Sequence, residues 1–300
     1  MSALLAVRDL HVTYPDGTRA LRGVDLVLHR GDRVAVVGES GSGKSTLVAA
    51  ILGLLPRGTA VSGRVRLAGV EVTSARERDL RRLRGRTVGY VPQDPYAAID
   101  PLRTVRHHLT EAARAHGLRL SAEAAAERFE RLGIAPHAAR ARSFPHTWSG
   151  GMLQRAAIAA ATVHGPELVL ADEPTSALDH EAIDTTLAVL AEEAPSMLLV
   201  THDLDVAARA ADTALVMYAG RVVERGPAGR VLARPRHRYS AALVDALPRT
   251  GLPPAPLPGD PPDPRAADAG CAFRPRCRCA EQMCATTPLP EGDVACHFPA

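Results

Sequence analysis

The stretch GESGSGKST, residues 38–46, holds the one lysine of a 300-residue chain whose 36 lysine and arginine residues are otherwise all arginine. Arginine fills every exchangeable basic position, so the lysine marks one that is not exchangeable. The stretch fits G-x-x-x-x-G-K-[ST]. An apolar run, RVAVVG, precedes it in the manner of a buried strand, and STLVAAILGLL after it reads as a helix. Strand, glycine loop and helix together make a cradle for a polyphosphate. Gly38, Gly41 and Gly43 let backbone N–H groups turn inward, and the helix N-terminus adds the positive end of its dipole. Lys44 is expected to reach the β- and γ-phosphates as a compact charge, which the planar arginine fork cannot do, and Ser45 to offer its hydroxyl to Mg²⁺. Ser40 and Thr46 complete the set expected around the nucleotide.

Composition bounds the rest. A chain that is 46% hydrophobic and 23% charged makes one large or two modest folded domains and excludes general disorder. A net charge of +3 with mixed signs gives no electrostatic case for nucleic acid. The N-terminal MSALLAVRDLHVTYP is interrupted by Arg8 and Asp9, so it reads as neither signal peptide nor span. No window approaches 18 apolar residues; AAIAAATV at 156–163 is a core helix segment. The expectation is a cytoplasmic chain with reduced cysteines that meets a membrane only through a partner.

Two further stretches narrow the chemistry. ELVLADEPTSALD, residues 167–179, is an apolar strand ending in paired acids. Asp172 there can hold Mg²⁺ through water and Glu173 can polarise an attacking water. A strand followed by a solvated acidic turn is the bland alternative, weakened by the loop at 38–45. In SFPHTWSGGMLQR, residues 143–155, Ser149, Gly150 and Gly151 open a helix and form a second anion site. One nucleotide does not need two cradles from one subunit, so the second is expected to face the nucleotide of another.

With these motifs in order, residues 1 to about 245 resemble the nucleotide-binding subunits of ABC transporters. The resemblance implies roles residue by residue. Tyr14 in HVTYPDG matches the aromatic that stacks on adenine, and GESGSGKST the Walker A loop. Gln93 in GYVPQDP matches the Q-loop that touches Mg²⁺ and the membrane subunit, and WSGGM the signature motif. LVLADEP looks like Walker B, SALD like the D-loop, and His202 in LLVTHDLD like the switch histidine on the γ-phosphate. Trp148 and Met152 depart from the family's usual residues, and both read as packing variation. Tyr14 could otherwise be an ordinary strand aromatic and His202 a satisfied core histidine. Their neighbours PDGTRALRGVDL and SMLLV favour the functional roles.

The implied fold is α/β: an ABC-type nucleotide-binding domain with a P-loop parallel-sheet core, an antiparallel β subdomain and a helical subdomain, followed by a C-terminal cysteine-rich extension. Runs at 4–14, 24–29 and 64–72 read as antiparallel strands. Those at 33–37, 87–91, 168–172, 196–201 and 213–218 read as a parallel sheet. Residues 94–165 read as largely helical. The expected division is a nucleotide-binding domain over 1–247 and a connector with extension over 248–300.

Residues 248–264, PRTGLPPAPLPGDPPDP, contain eight prolines and should form an extended connector. All five cysteines follow it, spaced C-x5-C-x-C-x4-C-x11-C. An odd count and a reducing compartment disfavour disulfides, so clustering points to a metal or cluster site, with zinc and iron–sulfur as candidates. HRYSAALVDALP, GCAFRPRC and VACHFP resemble the C-terminal extension of the peptide and nickel uptake subfamily. That resemblance implies a [4Fe–4S] cluster held by Cys271, Cys277, Cys284 and Cys296, for which a structural role is expected here; Cys279 is extra. It also implies an ATPase, using ATP and Mg²⁺, peripheral on the cytoplasmic face of the membrane. Its partners would be two transmembrane permease subunits, a second ABC ATPase (identical or related) and, indirectly, an extracytoplasmic solute-binding protein, with no nucleic acid. A nickel or metal-chelate importer ATPase is the alternative cargo. A soluble ABC ATPase would want a coiled-coil insertion or tandem cassettes, and an efflux ATPase would not usually carry the cysteine tail.

Overall fold

A computed structural model describes residues 3–134, 143–176, 178–247, 255–266 and 270–300. The chain divides into two compact units. The first comprises Met1–His29, Arg33–Ser74 and Val200–Ala300, the second Arg30–Asp32 and Ala75–Leu199.

In the first unit, β1 (Leu5–Thr13), β2 (Arg19–Leu28), β4 (Ala60–Leu67) and β5 (Val70–Glu71) form an antiparallel sheet in the order β2-β1-β4-β5. Alternation buries Leu5 and Val7, then Leu10 and Val12. A β-bulge shifts the inward phase by one residue between these pairs, with Asp9 in the left-handed region at φ 43°. The run predicted as one strand over 64–72 is a hairpin instead. Ala68 and Gly69 take φ 46° and 84°, and Leu67 pairs with Val70 across the two-residue turn.

The same unit holds β3 (Arg33–Val37), paired in parallel with β9 (Thr213–Tyr218), whose other side carries antiparallel β10 (Arg221–Pro227). Strand β10 was not among the predicted runs. It follows the turn Ala219–Gly220, where both residues have positive φ, and its alternation is obscured by a bulge between Val222 and Glu224. Helix α1 (Lys44–Leu52) follows β3, and the short helices Leu204–Ala210, Ala228–Ala233 and Arg238–Asp245 complete the unit. Its core joins Ala35 and Val37 of β3 to Val216 and Tyr218 of β9, to Tyr239, and to Phe273 from the cysteine-bearing segment.

In the second unit, β6 (Val88–Val91) lies parallel to β7 (Leu168–Asp172), and β8 (Met197–Thr201), whose first three residues belong to this unit, is the neighbour of β7. Every residue of β7 is buried, as a strand covered on both faces requires. Helices lie at Glu77–Leu83, Pro95–Ala98, Val105–Arg114, Ala122–Arg131, Gly150–Ala161 and His180–Glu193. An ion pair of 2.6 Å between Arg128 and Glu193, mostly buried, ties the fourth of these helices to the last. Arg128 also donates to Thr162 Oγ1 at 2.7 Å. Among the described residues, no helix is long and apolar enough to cross a membrane.

A candidate nucleotide site

The phosphate loop of the first unit leaves β3 at Gly38 and enters α1 at Lys44. Its shape depends on two glycines. At Gly38 (φ 156°) a Cβ would fall 2.2 Å from the Met217 carbonyl oxygen, and at Gly43 (φ 102°) 2.4 Å from that of Ala20. Neither position admits a side chain without moving backbone. Gly43 caps α1 in the left-handed conformation and offers no side chain to the first-turn N–H groups, which is how a helix start accepts an anion. Ser40, Gly41 and Ser45 are exposed along the loop.

Lys44 is only 5% exposed. Its Nζ donates to the carbonyls of Gly38 (2.8 Å) and Glu39 (2.9 Å), so the ammonium lies inside the curl of the loop. Tyr14 follows β1, and its hydroxyl lies 2.9 Å from Thr46 Oγ1, bringing the predicted base-stacking ring against α1. His202 comes directly after β8 and is exposed, ahead of the N-cap Asp203.

The remaining residues predicted for the nucleotide lie in the second unit. Asp172 is the last residue of β7 and 4% exposed. Tyr90 of β6 has its pKa raised first by burial and then by the Asp172 charge, so the two side chains are electrostatic neighbours. Glu173 stands at φ 45°, a left-handed conformation that costs a bulky side chain on the order of 1–3 kcal/mol. Gln93 donates from Nε2 to Glu173 Oε2 at 3.1 Å. The predicted Q-loop and Walker B residues therefore meet directly. The backbone just before Gln93 is fixed as well, since the Pro92 carbonyl accepts from Gln154 Nε2 at 3.3 Å.

Gln154 belongs to the helix opened by the signature residues. Ser149 is its N-cap, with Oγ accepting from Met152 N–H at 3.3 Å. Gly150 begins the helix, and at Gly151 a Cβ would sit 2.9 Å from that of Ala182. Trp148 is 4% exposed, meets Phe129 edge-to-face at 5.8 Å and donates from its indole to Ser143 Oγ at 2.7 Å. Its bulk is thus absorbed in packing. The predicted D-loop is described except for Ala177.

The five cysteines are free thiols at the end of the first unit. Among the described residues, no three His, Cys, Asp or Glu side chains are grouped tightly enough to hold a metal ion. The thiols are nonetheless neighbours. Burial pushes Cys271 up first, and Cys284, Cys296 and Cys277 add to the rise. Cys277 is raised by burial and then by Cys279, Cys296 and Cys284. Cys279 is exposed.

Sequence reading passed over two residues of this region. Arg276 forms a two-pronged ion pair with Glu39 inside the phosphate loop, across 237 positions of sequence. No local pattern signals such a pair.

Residues 21–176 match the ABC transporter family, and residues 223–284 match the oligopeptide/dipeptide transporter C-terminal region. The oligopeptide transport ATP-binding protein OppD of Mycobacterium tuberculosis is 40% identical over 98% of this chain, which spans 51% of that relative's length. OppD of Escherichia coli K12 is 39% identical, over 95% of this chain and 89% of the relative. Among solved structures, a dimeric post-hydrolysis state of the ATP-binding cassette MJ0796 bound to ADP and Pi superposes with a TM-score of 0.66 at 27% identity. That match covers 75% of this chain and 98% of the cassette. The chain thus belongs to the ABC transporter family of ATP-binding proteins.

Proposed function

We propose that this chain is the ATP-hydrolysing subunit of a peptide importer. The observation that carries this reading is the pairing of an ABC match over 21–176 with the oligopeptide/dipeptide C-terminal match over 223–284 in one chain. In this reading, residues 1–247 form the nucleotide-binding domain and 248–300 the connector and cysteine-rich extension.

The roles follow from chemistry. Tyr14 stacks on adenine. The backbone of 38–46 would wrap the phosphates, Lys44 would exchange the loop carbonyls for the β- and γ-oxygens, and Ser45, Gln93 and Asp172 are the residues that would hold Mg²⁺, which would neutralise phosphate charge. Water attacks the γ-phosphorus, the bond to the bridging oxygen breaks, ADP leaves, and Glu173 takes the water's proton. Gln93, already hydrogen-bonded to Glu173, orients that carboxylate. His202 holds the γ-phosphate. Ser149, Gly150 and Gly151 face the nucleotide of a second ATPase, so that ATP binding closes the pair and hydrolysis reopens it. Two permeases carry the solute and receive the motion through the Q-loop, while a solute-binding protein selects it. The chain then sits peripherally on the cytoplasmic face of the membrane.

Cys271, Cys277, Cys284 and Cys296 would hold a [4Fe–4S] cluster, whose role in this reading is structural. Four soft thiolates suit it.

The test is affinity purification of an N-terminally tagged chain from gently solubilised membranes, with mass spectrometry of what accompanies it. Two multi-span permeases and a second ATPase support the reading. A chain recovered alone, or with ribosomal or DNA-binding proteins, refutes the transport role.

A further inference from the structure

Glu39 is the second residue of the phosphate loop, and none of the roles above uses it. Each of its polar groups is nevertheless held. Its N–H donates to Tyr239 Oη at 2.8 Å, and its carbonyl accepts from Lys44 Nζ at 2.9 Å. Its carboxylate receives both terminal nitrogens of Arg276, at 2.7 and 2.9 Å.

The guanidinium is fixed in turn. Its Nε donates to the Pro258 carbonyl at 2.7 Å, and one terminal nitrogen also donates to Tyr218 Oη at 3.2 Å. The Arg276 side chain is 4% exposed and that of Glu39 25%. A fork-to-fork pair so far removed from water fixes direction as well as distance, which a lysine could not do.

Arg276 is the last residue of the turn Arg274–Arg276, immediately before Cys277. Three residues upstream, Phe273 packs on the rings of Tyr218 (5.4 Å) and Tyr239 (5.5 Å). The cysteine-bearing segment therefore touches the loop both directly, through Arg276, and indirectly, through the tyrosine that accepts the Glu39 N–H.

We propose that Arg276 is a positioning residue for nucleotide binding: through Glu39 it holds the phosphate loop in a preset shape, and so links the segment 270–284 energetically to the nucleotide. The inference rests on the reading of residues 38–46 as the nucleotide site. A loop already shaped for polyphosphate loses less conformational freedom on binding, and Lys44 stays close to where it is needed because it shares the Glu39 carbonyl. Linkage is reciprocal, so nucleotide must also quiet the cysteine-bearing segment.

The test measures Mg-ATP affinity of the full chain, as isolated, for wild type, Arg276→Gln, Glu39→Gln, the double variant and Arg276→Lys. Each Gln variant is expected to raise Kd about tenfold, the double variant no more than either single one, and Arg276→Lys to fall between. Amide exchange over 270–284 should slow on nucleotide binding in wild type and not in Arg276→Gln. Loss of thermal stability with an unchanged Kd would mean a merely structural pair and overturn the inference, as would multiplicative effects in the double variant. Should Arg276→Gln fail to fold, unchanged affinity in both Glu39→Gln and Arg276→Lys overturns it. A wild-type chain that binds no Mg-ATP brings down the nucleotide reading itself. Wild-type binding with indifferent variants brings down only this inference.

Discussion

Lowering the pH should destabilise the chain through one buried histidine. His237 is 1% exposed and caps the helix Arg238–Asp245, its Nδ1 accepting the Tyr239 N–H at 3.0 Å. Burial pushes its pKa from the usual 6.5 down to about 4, with a hydrogen bond to the Ala295 backbone pulling weakly the other way. The unfolded chain takes up a proton near 6.5, while the folded chain refuses it until about 4. The stabilisation is therefore whole above the higher value, shrinks as the pH falls between them and is gone below the lower. At about 1.4 kcal/mol per pH unit, the full loss is about 3 kcal/mol, of which about 2 is reached by pH 5. The assay is urea unfolding from pH 7.5 to 4.5 of wild type and His237→Asn. Asparagine can still accept the Tyr239 N–H and does not titrate. The buried Glu224 carboxylate, which accepts the N–H groups of Arg236 and His237, is common to both proteins. Wild type should lose stability more steeply, closing most of the gap to the variant. Parallel curves would refute the buried neutral ring.

Other substitutions probe the site. Gly43→Ala places a Cβ 2.4 Å from a carbonyl oxygen, whereas Gly41→Ala meets nothing within 4 Å. Gly43→Ala should cost about 2–4 kcal/mol of stability and weaken ATP binding at least about tenfold, far more than Gly41→Ala, as thermal melting and nucleotide titration will show. Equal damage from both would contradict the loop geometry. Glu173→Gln should retain ATP binding and lose turnover by about a hundredfold or more; unaltered hydrolysis would remove Glu173 as the base. Trp148→Leu gives up the contact with Phe129 and the bond to Ser143 and should cost about 1–3 kcal/mol in urea unfolding while leaving Mg-ATP affinity unchanged.

Much of the fold was legible because its signals are local. The five runs read as parallel strands correspond to β3, β6, β7, β8 and β9, each short and mostly buried. The turn at Ala68–Gly69 escaped because alanine seldom takes a positive φ and gives no warning that it will. The hydrogen bond between Gln93 and Glu173 joins two motifs that were read separately. Lys44 stood out by being alone. Arg276 was hidden by the opposite circumstance: in a chain built on arginine, nothing local distinguishes the one that reaches the phosphate loop.

The most direct measurement is uptake of a labelled peptide by cells whose own copy of this chain is deleted, complemented with wild type or Glu173→Gln. The account predicts that deletion abolishes uptake, wild type restores it, and Glu173→Gln does not, although it still co-purifies with the permeases. Undiminished uptake after deletion, or full rescue by Glu173→Gln, would contradict it.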